Sequence, residues 1–313
     1  MTLRHHGRYE AIIREAMALP PMRAAVVHPC STDTLRSTLD LKELGIIDPV
    51  LIGPEHKIRA IAEAAKVSLA GIDIEPVEHS HAAAARAAEL AAAGRMEALM
   101  KGSLHSDELL SAVIRTPQLR TERRMSHIYV MDIPAYEKLL VITDAAINMR
   151  PDLDQKRDIC QNAVDFLHVL GIKKPRVAIL AAVETVNSKM PATLDAAALT
   201  VMAARGQIDG AIVDGPLAFD NAISVEAARA KCIHSPVAGE ADILLVPDLE
   251  AANMLAKQLI YFASADAAGL VLGARVPIIL TSRADPDKVR TASAALAKLA
   301  AARHKATRRK RVE

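Results

Sequence analysis

The sequence predicts an α/β protein: parallel sheet, crossover helices and two domains. Short apolar runs rich in β-branched residues alternate with Ala- and Leu-rich helical segments across short connections. The chain is 51% hydrophobic yet only 2% aromatic, with no Trp. Its core must therefore be Ala, Leu, Ile and Val, which suits helices packed closely on a parallel sheet. The alternation breaks in the middle of the chain, and 313 residues accommodate two ordinary domains.

Residues 1–20 read as an amphipathic lead-in helix closed by Pro20-Pro21, and 23–28 as a first strand. A helix over 31–44 follows, with Ser31 or Thr32 as its cap. Strands at 49–53 and 72–77 alternate with helices at 58–66 and 81–93. Residues 98–101 lead into the turn Lys101-Gly102-Ser103, and 107–114 is helical. The basic stretch 116–125 then precedes two strands, 127–132 and 139–144, whose short connection suggests a hairpin. After Pro151 comes a helix over 154–170, with Gly171 in the place that favours a left-handed residue. Strands at 176–180, 210–214 and 242–246 alternate with helices at 192–205, 220–230 and 249–262. Strands at 269–272 and 277–281 precede a last helix from Pro286 to about Arg303. We place the first domain at 1–148 plus 284–313 and the second at 149–283.

Composition narrows the function. A net charge of +2 is too small to imply a polyanion, and scarce aromatics remove the stacking platforms that single-stranded nucleic acid needs. The basic tail, 303–311, reads as a solvated, frayed terminus. No run approaches the ~20 apolar residues of a membrane span, and the first twenty residues carry charges throughout, unlike a signal peptide. Three scattered cysteines without CxxC spacing fit a reducing cytoplasm. Cys30 and Cys232 read as buried small hydrophobes. The eleven histidines form no HExxH, and no metal ligation is expected.

Polar clusters at strand ends supply the candidates for chemistry: Lys101 with Gly102, Asp144 after Thr143, and Asn187 with Ser188. Asp214, Gly215 and Pro216 read as a strand-end turn whose backbone approaches a ligand. Asn253 and Lys257 lie four apart on one helix face. The stretch 276–285 ends an apolar strand in Ser282, Arg283 and Asp285, where open α/β sheets bind ligands. A hydroxyl beside a guanidinium suits an anionic oxygen, while Asp285 before Pro286 equally reads as a helix cap. GxxxxGK[ST], GxGxxG after the first strand, and GxSxG are all absent.

Three blocks give these fragments a common meaning: 214–223 (DGPLAFDNAI), 237–257 (VAGEADILLVPDLEAANMLAK) and 277–285 (PIILTSRAD). Together with Lys101-Gly102, 120–132 (RTERRMSHIYVMD) and 143–151, their order and spacing resemble the phosphate acetyltransferase/phosphate butyryltransferase family. The wording of DGPLAFDNAIS and LTSRAD is nearer the butyryl branch.

The resemblance implies two α/β domains with a cleft between them, an architecture like that of isocitrate and isopropylmalate dehydrogenases, in a homodimer. It implies reversible acyl transfer between coenzyme A and inorganic phosphate. Acyl-CoA, CoA, phosphate and acyl phosphate are then the partners, CoA being a substrate, and no metal or redox cofactor is required. The family's Ser-Arg pair falls on Ser282 and Arg283, to hold phosphate and the developing oxyanion. The carboxylate that the acetyl branch places further on falls on Val289; Asp285 and Asp287 are near but out of register. Arg120, Arg123 and Arg124 are candidates for the CoA phosphates, or a solvated basic loop. The acetyl group is the first expectation and butyryl the alternative. A CoA or acyl-phosphate binding protein of weak activity is a third reading.

Overall fold

The computed structural model describes residues 7–280 and 286–312, with the backbone alone beyond 303. The chain forms two compact units: Tyr9–Glu122 with Ala268 onward, and Arg123–Ala267 with Arg8.

The first unit opens with α1 (Arg8–Met17), β1 (Met22–Val27), α2 (Thr32–Glu43), β2 (Ile47–Gly53), α3 (Glu55–Ala65) and β3 (Asp73–Pro76). It continues with α4 (Ser80–Ala92), β4 (Ala98–Lys101), α5 (Ser106–Arg115) and a 3-10 turn over Pro117–Leu119. β1 pairs in parallel with β2 and β4, and β2 with β3. Every residue of β1 except Arg23 is buried, as a central strand covered on both faces requires. Six of the thirteen residues of α4 are buried, five of them Ala, so the helix lies close to the sheet without bulky side chains.

The second unit begins with β5 (Ser126–Asp132) and β6 (Leu140–Thr143), an antiparallel pair. α6 (Leu153–Val169), β7 (Arg176–Leu180), α7 (Pro191–Ala204) and β8 (Ile212–Leu217) follow. The short helices α8 (Phe219–Ile223) and α9 (Val225–Ala230) precede β9 (Ile243–Leu245) and α10 (Leu249–Phe262). The strand order is β5-β6-β9-β7-β8, parallel from β6 onward. Gly171 stands after α6 with φ +83°.

The chain then returns to the first unit. β10 (Asp266–Leu272) spans the boundary, β11 (Ile278–Ile279) runs antiparallel to β10 and parallel to β4, and α11 (Asp287–Val312) packs against α2 and β4. The first sheet is thus β3-β2-β1-β4-β11-β10. Lys298 of α11 is 2% exposed, and its Nζ donates to Leu19 O (2.9 Å) and Gly45 O (2.8 Å), which ties the helix to two loops. Burial lowers its pKa.

Four details depart from the sequence reading. The hairpin β5–β6 lies with residues 149–267, because β6 takes a parallel partner in β9. Asp214, Gly215 and Pro216 lie inside β8 rather than in a turn after it. The helix expected over 220–230 breaks at Ser224, whose Oγ accepts from Ala227 N and caps α9. The last helix continues to Val312 instead of fraying near residue 303.

One buried ring gives the fold a pH dependence. His127 in β5 is 2% exposed, its Nδ1 has no partner, and it packs edge-on against Tyr129 at 4.6 Å. Burial lowers its pKa from 6.5 to about 4. The unfolded chain therefore binds a proton that the folded chain refuses. Stability is fully present above pH 6.5 and falls as pH drops toward 4, by on the order of 3 kcal/mol. Denaturant midpoints at pH 7.5 and 4.5 should differ for the wild type, and His127→Phe should shrink that difference.

Candidate functional site

The site grows from the way two parallel strands end. After β1 the backbone turns at His28, with φ +53°. His28 N donates to Ile52 O at 2.7 Å, and His28 O accepts from Cys30 N and Ser103 N, both at 2.8 Å. Val27 O accepts from Gly102 N at 2.9 Å. A Cβ on Gly102 would stand 2.4 Å from Val27 O and 2.7 Å from His28 O. Both obstacles are backbone, so only glycine fits.

This seam opens into a cavity of about 420 Å³ lined by Cys30, Ser31, Thr34, Lys101, Ser103 and Arg290, among others. Ser31 caps α2: its Oγ accepts from Thr34 N at 3.3 Å and shares a hydrogen bond with Thr34 Oγ1 at 2.8 Å. The N-terminus of α2, with its positive dipole end, thus forms one wall. Lys101 Nζ lies 3.4 Å from Leu104 O, and Arg290 arrives from the first turns of α11. Among the described lining residues, Lys101 and Arg290 supply positive charge and Asp33 a carboxylate. Two cations, hydroxyls and a helix N-terminus suit a phosphate-like oxyanion.

β11 leads to the same end of the sheet, since Ile279 is in register with Met100 beside Lys101. Ser282, Arg283 and Asp285 come next in the chain and lie outside the described residues. Val289, where the acetyl branch would place its carboxylate, is 3% exposed in α11. Cys30 is partly exposed, and burial raises its pKa while nearby Lys57 lowers it. It therefore stands as a thiol rather than a ready nucleophile. Cys232 is exposed, so neither cysteine is the buried residue the sequence suggested. Among the described residues, no group of three or more His, Cys, Asp or Glu side chains is placed to hold a metal ion.

Residues 78–298 match the family described as "Phosphate acetyl/butaryl transferase". The chain belongs to this family. It is 56% identical to the phosphate acetyltransferase of Rhizobium meliloti over 96% of this chain and 95% of that protein. Identity to the phosphate butyryltransferase of Clostridium beijerinckii is 39%, over 95% and 99%. The whole chain is therefore nearer this acetyl relative, against the hint from motif wording. A solved phosphotransacetylase from Streptococcus pyogenes shares the fold with a TM-score of 0.82 at 20% identity, covering 97% of this chain and 100% of that one.

Several family blocks serve the fold. Asp144, 3% exposed, accepts from Asn148 Nδ2 (2.5 Å) and from the backbone N–H groups of Ala146, Ile147 and Asn148. Burial raises its pKa and these donors hold it down, so the carboxylate closes a turn after β6. Arg124 Nε donates to Asn148 Oδ1 at 2.8 Å, which makes Arg124, Asn148 and Asp144 one network. Arg123 pairs with Asp165 at 2.5 Å. Gly215 lies against β7: a Cβ there would meet Ile179 Cβ at 2.7 Å. Asp214 accepts from Gly215 N, and Pro216 is buried inside β8. Gly239-Glu240-Ala241-Asp242 sits at the amino end of β9, where Asp242 accepts from Arg176 N and pairs with Lys138.

Other expected residues do not join the cavity. Arg120 donates through Nε to Ile114 O at 2.6 Å and bridges to Ala274. Because β10 runs antiparallel to β11, Ala274 is at the amino end of β11, across the sheet from Lys101. Asn187 and Ser188 are exposed; Asn187 N donates to Thr193 Oγ1 and its Oδ1 accepts from Lys189 N, shaping the approach to α7. Asn253 is half-buried and Lys257 exposed on α10. Sequence reasoning missed Arg290 and Thr34 as lining residues. Ser31 was legible as a cap, but its cavity depends on the strand seam.

Gly102→Ala tests that seam. Overpacking against two carbonyls should cost roughly 1–3 kcal/mol, read as a lower thermal midpoint, together with weaker phosphate binding. Gly7→Ala is the reference, since nothing lies within 4 Å of its added Cβ and its backbone is outside the left-handed region.

Proposed function

We propose that the protein is a phosphate acetyltransferase that interconverts acetyl-CoA plus inorganic phosphate with acetyl phosphate plus CoA. The observation that carries this reading at the site is the cavity with Lys101 and Arg290, at the sheet end where β11 leads into Ser282 and Arg283. The 56% identity to an acetyltransferase over nearly the whole chain favours acetyl over butyryl. In the phosphate-forming direction a phosphate oxygen attacks the thioester carbonyl carbon. The carbonyl becomes an oxyanion, then collapses as the C–S bond breaks and CoA leaves as thiolate. Negative charge accumulates on both phosphate and carbonyl oxygen, so aimed cations and hydroxyls lower the barrier. Positioning two bound substrates supplies much of the remainder. This chemistry calls for no redox cofactor, and the cytoplasm supplies both substrates.

Purified protein with acetyl-CoA should release thiol only when phosphate is added, and acetyl-CoA should outpace butyryl-CoA. Ser282→Ala should lower that rate while leaving CoA affinity little changed; loss of CoA binding without a rate effect would favour a binding protein. Lys101→Ala should lower kcat/KM roughly 10- to 100-fold, as expected for one charged hydrogen-bonding group, with the phosphate KM raised.

We also propose a homodimer. Met254, Tyr261 and Phe262 of α10 are 61%, 74% and 89% exposed, while only Ala252 and Ala256 of that helix are buried. So apolar a helix needs a covering surface, and a second copy of the chain is the occupant the family suggests. Phe262→Asp should shift the species seen in sedimentation from dimer toward monomer.

A further inference from the structure

A second cavity, of about 380 Å³, lies at the opposite end of the first unit's sheet. Its walls include Ala91, Met96, Leu119, Pro277 and Ala301, with Arg275 as a cation among the described lining residues. Four segments converge there: the end of α4, the 3-10 turn, the β10–β11 turn and α11. Arg275 is fixed on two sides. Its backbone N donates to Leu119 O at 2.9 Å, and its Nε donates to Arg120 O at 3.2 Å. That leaves the Nη pair as an outward fork among the described residues. Among the described lining residues the carboxylate of Glu97 is engaged through Oε2 by Arg23 N at 2.9 Å.

The geometry points to a second ligand site that takes a short-chain, apolar monocarboxylate. A rigid guanidinium fork matches a carboxylate, and the Ala, Met, Leu and Pro walls match a short alkyl chain. The site is distinct from the Lys101 cavity, which lies beyond the carboxyl end of β4. It is also connected to it. Val276 and Pro277 lead directly into β11, and Pro277 O accepts from Leu99 N at 3.1 Å. A ligand held by Arg275 thus acts on the strand that feeds the segment carrying Ser282 and Arg283. Transfer of the phosphoryl group of an acyl phosphate to an acceptor releases such an acid. The site would let the downstream product of the acyl transfer report back. That role rests on the acyltransferase reading, whereas the choice of ligand rests only on the cavity.

Calorimetric titration of the full chain with butyrate tests the site without using activity. Saturable binding should persist in saturating phosphate and in Lys101→Ala. It should weaken at least tenfold in Arg275→Gln, and in Ala92→Leu, since Ala92 also lines the cavity and the larger side chain fills it. Phosphate-dependent turnover without butyrate should be unchanged in Arg275→Gln. Absence of saturable binding, displacement by phosphate, or unchanged binding in Arg275→Gln would overturn the proposal. Because binding is measured apart from turnover, an inactive protein that binds butyrate would refute only the acyltransferase reading.

Discussion

The contact between Gly102 and the backbone carbonyls of Val27 and His28 governs the site. β1 and β4 pair in parallel up to Val27 and Lys101, and just beyond them a missing side chain lets two main chains touch. Ser103 N and Gly102 N then satisfy carbonyls at the end of β1. The same seam turns the chain toward Ser31, so the start of α2 and the end of β4 face one space. Lys101 and Arg290 contribute charge to that space, but the backbone decides where it is.

The two units use their polar residues differently. In the first, lysine, arginine and hydroxyl groups gather around an opening. In the second, many polar side chains close loops. Asp144 is engaged by three backbone amides and Asn148, and Asp242 by Arg176 N and Lys138. Buried carboxylates without such donors would be costly. A recurrent motif can therefore reflect the demands of folding as much as those of chemistry.

Much of the fold was legible because the periodicity is clean. The spans 176–180 and 249–262 stand in the structure as read from the sequence, and the hairpin after Met125 pairs as its short connection implied. The interruption at Ser224 was hidden, because a capping serine inside a helical pattern looks like any exposed residue. β8 was cut short because Gly and Pro ordinarily end strands, whereas here Gly215 provides the close approach to Ile179. At the site, Lys101 was legible from its place after an apolar strand. Arg290 was not, since one arginine in an Ala-rich helix carries no mark of the strand end it approaches. Arg120 stands apart from that cavity for a related reason: proximity to a family motif in sequence says nothing about which end of a sheet a residue occupies.

The scarcity of aromatic rings has an optical consequence. With no Trp, the intrinsic emission comes from four tyrosines. Tyr9 is fully buried with its hydroxyl bonded to Ala268 N, Tyr136 donates to Ala241 O, and Tyr129 packs on His127. Tyr261, on the uncovered face of α10, is the ring most open to water. A quencher therefore addresses mainly one chromophore in the single chain, one that a second copy covering α10 would shield, and a single tryptophan placed anywhere in the chain would shine against an almost dark background.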